Sequence, residues 1–145
     1  MDRDERHSKL VEELVMVFKK EGFRILSADL PGYPTPRPLP NDGYGDQKPK
    51  SPDVYAFDST SQRHVIGEAK TGDDDFETEH ALTQYNVFLD QFDKSTGVQA
   101  KVYIIVPGGK IAEFNTMITH YIHRDYWQSL VVVSSTQSEG SSGGT

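Results

Sequence analysis

Residues 51–72 read SPDVYAFDSTSQRHVIGEAKTG. Two apolar runs, "DVYAFDS" and "RHVIGEAK", flank a short polar interval at "TSQ", the pattern of two strands joined as a hairpin. Asp53 opens the first run directly after Pro52, and Glu68 and Lys70 lie inside the second. Alternation along a strand puts Glu68 and Lys70 on one face, with Cα atoms about 6–7 Å apart. A hairpin then carries Asp53 toward Glu68. Two such acids plus the carbonyl of Ala69 make a hard-oxygen site suited to Mg²⁺ or Mn²⁺. The compact ammonium of Lys70 could orient a water or stabilise charge on a phosphate oxygen. A plain alternative exists for each part. A Glu-x-Lys tripeptide is frequent by chance, and Pro-Asp commonly opens turns. The context favours the chemical reading: "HVIG" leads straight into the pair, and a helical stretch follows.

Upstream, "HSKLVEELVMVFKKEGF" repeats apolar residues at Leu10, Leu14, Val17 and Phe18, predicting an amphipathic helix that Gly22 ends. "FRILSADL" predicts a strand. The next 22 residues, "PGYPTPRPLPNDGYGDQKPKSP", hold seven prolines and three glycines and cannot form a regular element. Tyr33, Arg37, Tyr44, Lys48 and Lys50 give this loop aromatic faces and positive charge. Downstream, "DDDFETEHALTQYNVFLDQF" predicts a second helix, with Asp74 and Glu77 resembling a capping box. "QAKVYIIVPGG" is apolar enough for a strand buried on both faces. "KIAEFNTMITHYIHRDYW" predicts a third helix, and "SLVVVSS" a last short strand. The expected order is α-β-β-β-α-β-α-β, with a mixed central sheet flanked by helices. Residues 1–135 form the expected domain, and the Gly/Ser-rich tail 136–145 is expected to be disordered.

The chain has 145 residues, room for one core rather than two. It contains no cysteine, which removes disulfides and thiolate zinc sites from consideration. No apolar run is long enough to cross a bilayer, and the charged start "MDRDERHSKL" lacks the apolar core of a signal peptide. A cytoplasmic protein without a membrane partner is expected. The net charge of −7 speaks against a polyanion partner. Carboxylates gathered for a cation nevertheless contribute negative charge that the cation later cancels.

With these residues in view, the chain resembles the PD-(D/E)XK nuclease superfamily. "SPDVYAFD" is similar to its Pro-Asp motif and "GEAKTG" to its acid-x-Lys motif, and the element order is similar over most of the chain. Within that superfamily, "EAKTG" followed by "HALTQYNVFL" resembles the RecB-type branch. Gln84 matches the branch's glutamine, and Phe88 stands where it carries a tyrosine. The compact size and "ELVMVFKKEGF" are more similar to Holliday-junction resolvases or small restriction-type endonucleases. The resemblance implies a restriction endonuclease-like three-layer sandwich. It also implies a Mg²⁺- or Mn²⁺-dependent nuclease, acting on DNA sooner than RNA, whose in-line hydrolysis leaves a 5′-phosphate. In that frame Asp53, Glu68 and the Ala69 carbonyl hold the metal, Lys70 assists the nucleophile, and Gln84 positions Lys70 or substrate. A first-helix glutamate completes the site: Glu13 foremost, with Glu12 or Glu5 as alternatives. Cutting two strands commonly takes two sites, so a homodimer is a further expectation.

Two other readings stay open at this level. A nuclease fold without catalysis could serve nucleic-acid binding or protein assembly, and a sheet edge or the proline loop could recruit a partner. Smaller candidates are His120 with His123 as a metal pair, Asp73–Asp75 as a second cation site, and His80 near a phosphate. A surface or structural role is the cheaper explanation for each.

Overall fold

The computed structural model describes residues 3–40 and 50–136. The predicted Tyr44 and Lys48 contributions, and the tail from residue 137 onward, lie outside the described residues. Eight principal elements follow the expected order: α1 (Arg3–Glu21), β1 (Arg24–Ala28), β2 (Val54–Asp58), β3 (Arg63–Ala69), α2 (Glu79–Leu89), β4 (Lys101–Pro107), α3 (Ile111–Tyr121) and β5 (Leu130–Ser135). They build an α/β domain on a five-stranded mixed sheet with strand order β1-β2-β3-β4-β5. β1, β2 and β3 are antiparallel neighbours, whereas β3, β4 and β5 run parallel. The parallel pairs require the two crossovers that α2 and α3 supply.

One helix covers one face and two cover the other. Leu10, Val11, Leu14 and Phe18 of α1 pack against Val54, Ala56, Val65, Ala69, Tyr103 and Ile105. On the opposite face, Tyr85 and Phe88 of α2 and Phe114 and Ile118 of α3 meet Ile66, Val102, Ile104 and Val106. β4 feeds both clusters in alternation, which accounts for its continuous apolar run. Among the described residues no helix is long and apolar enough to cross a membrane.

α1 ends as its glycine predicts. Gly22 adopts φ 86°, its N–H reaches Lys19 O, and the Phe23 N–H reaches Phe18 O, so the last turn is satisfied before the chain turns into β1. A second glycine acts through its missing side chain. A Cβ on Gly67 would stand 2.8 Å from Leu14 Cδ2 and 2.9 Å from Phe18 Cζ. α1 therefore rests directly on the β3 backbone, one residue before Glu68. At the other end of β3, Arg63 donates from Nε to Gln99 O (2.9 Å). Its terminal nitrogen donates to Ala100 O and Ser129 Oγ (both 3.4 Å), so it joins the starts of three parallel strands.

Two helix predictions are corrected. α2 begins at Glu79 with Thr78 as its N-cap, whose hydroxyl accepts the Ala81 N–H at 3.0 Å. The Asp74/Glu77 box does not form because Asp75, instead of leading a helix, accepts Thr71 N–H (2.7 Å) and Gly72 N–H (2.8 Å). The third helix is shorter than its periodicity suggests. Ile122 is extended, and residues Arg124–Ser129 form a separate 3₁₀ turn that His123 caps.

Candidate active site

The β2–β3 hairpin puts the predicted acids side by side. Val54 pairs with Gly67, and the Asp53 N–H donates to Gly67 O (3.0 Å) while also lying 3.3 Å from Glu68 Oε1. Ala69 lies beyond the last β2–β3 pair. Its N–H is taken by Asp53 Oδ2 at 2.8 Å, which turns the Asp53 carboxylate toward the end of β3. Glu68 and Lys70 share the opposite side of the strand from Ala69. Lys70 Nζ lies 3.3 Å from Glu68 Oε2 and donates to Gln84 Oε1 of α2 at 2.5 Å, with the Tyr85 ring 5.7 Å away. Asp53, Glu68, Lys70 and Gln84 are all buried. Four of the predicted residues, from the open end of the hairpin and from α2, thus form one continuous cluster.

Burial and then the neighbouring Asp53 carboxylate drive the Glu68 carboxyl well above the ordinary glutamate range, against the pull of Lys70. Two acids share one site with a single ammonium at its far side, and they repel unless a proton or a cation lies between them. The donors suit a hard divalent cation: carboxylate oxygens of Asp53 and Glu68 and the peptide oxygen of Ala69 at the strand end.

Two residues absent from the sequence reading join this cluster. His7, in the second turn of α1, has Nε2 3.1 Å from Asp53 Oδ2. That hydrogen bond, against the opposing effect of burial, raises the imidazole above its ordinary pKa. Asp29, just past β1, donates its backbone N–H to Asp53 O (2.8 Å), and donor atoms of His7, Asp29 and Asp53 all lie within 4.8 Å of one another. His7 had a legible signal: 7, 11, 14 and 18 continue the buried stripe of the helix toward its start. Asp29 follows an edge strand into a proline turn and carried none.

Glu13 is not brought into this group. Its carboxylate accepts from Ser135 Oγ (2.6 Å) and from Thr136 N (2.9 Å) and Oγ1 (3.1 Å), holding the end of β5. Six residues on from His7, it points about 240° around the helix axis, so one helix cannot deliver both to one place. Glu5 and Glu12, the alternatives, are exposed.

No protein-family model, curated protein or solved structure matches the chain.

The remaining candidates separate readily. Asp75 organises the turn after Lys70, Asp73 pairs with Arg6 of α1, and Asp74 turns the loop at φ 61°, so the acidic run lies in the loop before α2. His120 lies on α3, whereas His123 caps the following turn, outside the helix whose spacing suggested a pair. His80 is exposed at the start of α2. Of the proline-loop residues, Arg37 is exposed and Tyr33 lies beside Lys19, with the ammonium 5.8 Å from its ring centroid. Lys50 is fully buried and gives the surface no charge.

Proposed function

We propose that the chain is a divalent-metal-dependent nuclease of the PD-(D/E)XK kind, with a restriction endonuclease-like fold, acting on DNA. The observation that carries the reading is the contact chain Gln84–Lys70–Glu68–Asp53 at the end of β3, in which two buried acids face each other beside a buried ammonium. The five-stranded mixed sheet with one helix on one face and two on the other supports the same reading.

Asp53, Glu68 and the Ala69 carbonyl would hold Mg²⁺ or Mn²⁺, with His7 and Asp29 on the outer side of Asp53. The imidazole favours Mn²⁺, since nitrogen donors suit transition metals better than Mg²⁺. Such a cation supplies positive charge to the phosphoryl oxygens and acidifies water. Lys70 is aimed by Gln84 and Glu68, so its ammonium is already oriented for a water or a phosphate oxygen and costs little reorganisation when substrate arrives. Gln84 is accordingly a positioning residue for Lys70. Ala69 N–H and His7 fix the Asp53 carboxylate in the same way.

The test is incubation with Mn²⁺ or Mg²⁺ and labelled duplex, single-stranded and branched DNA. Cleavage is expected with a divalent cation and should fall by about 10²–10³-fold in Lys70→Ala. Glu68→Gln and Asp53→Asn should fall at least as far. Cleavage that survives all three substitutions excludes the assigned site. Cation binding without cleavage of any nucleic acid would leave the non-catalytic module as the better reading.

A further inference from the structure

A second feature lies away from the acids of the hairpin. Between the segment leading into α2 and the outer face of α3 runs an open cavity of about 340 Å³, with Phe76, Met117 and Tyr121 as apolar lining and Glu77, Glu113 and His120 as polar lining. Its size falls within the range of pockets that take a side chain or a small ligand, about 300–1,000 Å³. Phe76 is held rigid: its ring packs edge-to-face on Phe114 at 4.9 Å, and its carbonyl accepts the Tyr85 hydroxyl at 2.7 Å. Tyr121 is 47% exposed, and both glutamates are exposed. Lys110 approaches Glu113 only at 3.8 Å, and Glu77 adds a second negative charge on the same lining.

We propose that this groove docks a basic segment of a partner protein, inserting an arginine or lysine side chain between the apolar floor and the two glutamates. The argument is complementarity of charge and shape. Arg and Lys carry an apolar stem that suits Phe76 and Met117 and a cationic head that suits Glu77, Glu113 and the Tyr121 face. The chain's net charge of −7 favours a cationic partner at long range, and Glu77 and Glu113 on the lining disfavour nucleic acid or an acidic peptide at this face. The groove is also connected to the hairpin site through the chain itself. Phe76 follows Asp75, whose carboxylate ties down Thr71 and Gly72 next to Lys70. A partner seated there would hold the loop that follows the acid-x-Lys motif. The interaction stands whether or not the hairpin acids cut phosphodiesters.

The test uses full-length protein and a fluorescein-labelled synthetic peptide in which arginines alternate with leucines, read by fluorescence anisotropy at low salt. Binding is expected, with amide shifts in ¹⁵N spectra centred on Phe76, Met117 and Tyr121. The double variant Glu77→Gln/Glu113→Gln should weaken it about tenfold, the loss of two exposed ion pairs. Glu12→Gln/Glu21→Gln removes the same charge from the surface of α1 and should leave affinity within about twofold, because distant exposed charges are largely screened. Lys70→Ala should bind as the parent does, which separates failure here from failure of the nuclease reading. Equal weakening by both double variants would mean bulk attraction and overturns the proposal. So would shifts centred elsewhere, or concentration-dependent self-association that the groove variant abolishes, which would make the occupant a second copy.

Discussion

Among the described residues, two His–Asp pairs of nearly identical geometry sit one toward each end of the β2–β3 hairpin. His64 Nε2 meets Asp93 Oδ2 at 3.0 Å, and His7 Nε2 meets Asp53 Oδ2 at 3.1 Å. Their surroundings differ completely. His64 receives the Tyr55 hydroxyl at Nδ1 (2.9 Å), and Asp93 accepts from the Ser95 N–H (2.8 Å), the Ser95 hydroxyl (2.5 Å) and the Thr96 N–H (3.1 Å). Those donors, Ser95 foremost, hold the Asp93 carboxyl well below the ordinary range. Every partner is present and the ionised form is the comfortable one. Asp53, by contrast, lies beside another acid, and burial together with the Asp53 charge leaves Glu68 with a carboxyl that resists ionisation. The first pair is complete as it stands. The second sets two carboxyls against each other with a single ammonium beside them, which a proton or a cation between them would relieve.

The largest way to break the contrast is to supply the cation. At a Mn²⁺ concentration 100 times its Kd, a protein that binds only when folded gains about 2.7 kcal/mol. A thermal shift of that size is expected for the parent chain and for Asp93→Asn, and none for Glu68→Gln. A shift retained in Glu68→Gln would assign the metal to the His7–Asp29 side alone.

A middle-sized effect follows from Gly67→Ala. The new methyl would meet Leu14 and Phe18 below 3 Å, and overpacking of this kind costs about 1–3 kcal/mol. Relief comes from lifting α1, and His7 rides on α1. Denaturant melts should show the lost stability, and Mn²⁺ titration should show weaker binding although no ligand has changed. The His64–Asp93 pair, on the far side of the sheet from α1, should keep its bonds.

The smallest effect is the shape of the pH profile. Glu68 binds its proton more tightly when folded than unfolded, so its contribution is intact below the ordinary glutamate pKa, about 4.3. It declines as pH rises through the elevated folded value. Asp93 has the opposite sign: its contribution is present above the ordinary aspartate range, about 3.9, and fades on acidification. In chelator, Glu68→Gln should flatten the alkaline side of the stability curve and Asp93→Asn the acid side. Saturating Mn²⁺ should flatten the alkaline side of the parent chain as well.

Much of this was readable from residues alone, for reasons that are local. Alternation made the hairpin legible, and the hairpin made Asp53 and Glu68 neighbours. The apolar run of β4 announced burial on both faces, and Gln84 came from the resemblance of "HALTQYNVFL" to the RecB-type branch. What was missed depends on how elements lie against one another. Glu13 and His7 are equally plausible as text, but the seat of α1 on Gly67 decides which of them overhangs the acids. Asp29 enters because β1 ends beside the start of β2, a matter of register across an edge with a bulge between Ile25 and Ser27. The acidic run 73–75 imitated a helix start because loop-organising and helix-capping aspartates draw on the same chemistry. His120 and His123 imitated a metal pair because Ile122 breaks the helix between them.

Arg63, at the opposite end of β3 from Lys70, has a kinetic consequence. By stapling the beginnings of β3, β4 and β5, it gives the parallel half of the sheet one clamped border, whereas the border bearing the acids rests on the Lys70 N–H bond to Ile105 O and on the Asp53 carboxylate at the Ala69 N–H. Amide protons near Lys101 and Leu130 should therefore exchange with solvent more slowly than those of Ala69 and Lys70, so that the sheet opens like a fan from the edge that carries the acids.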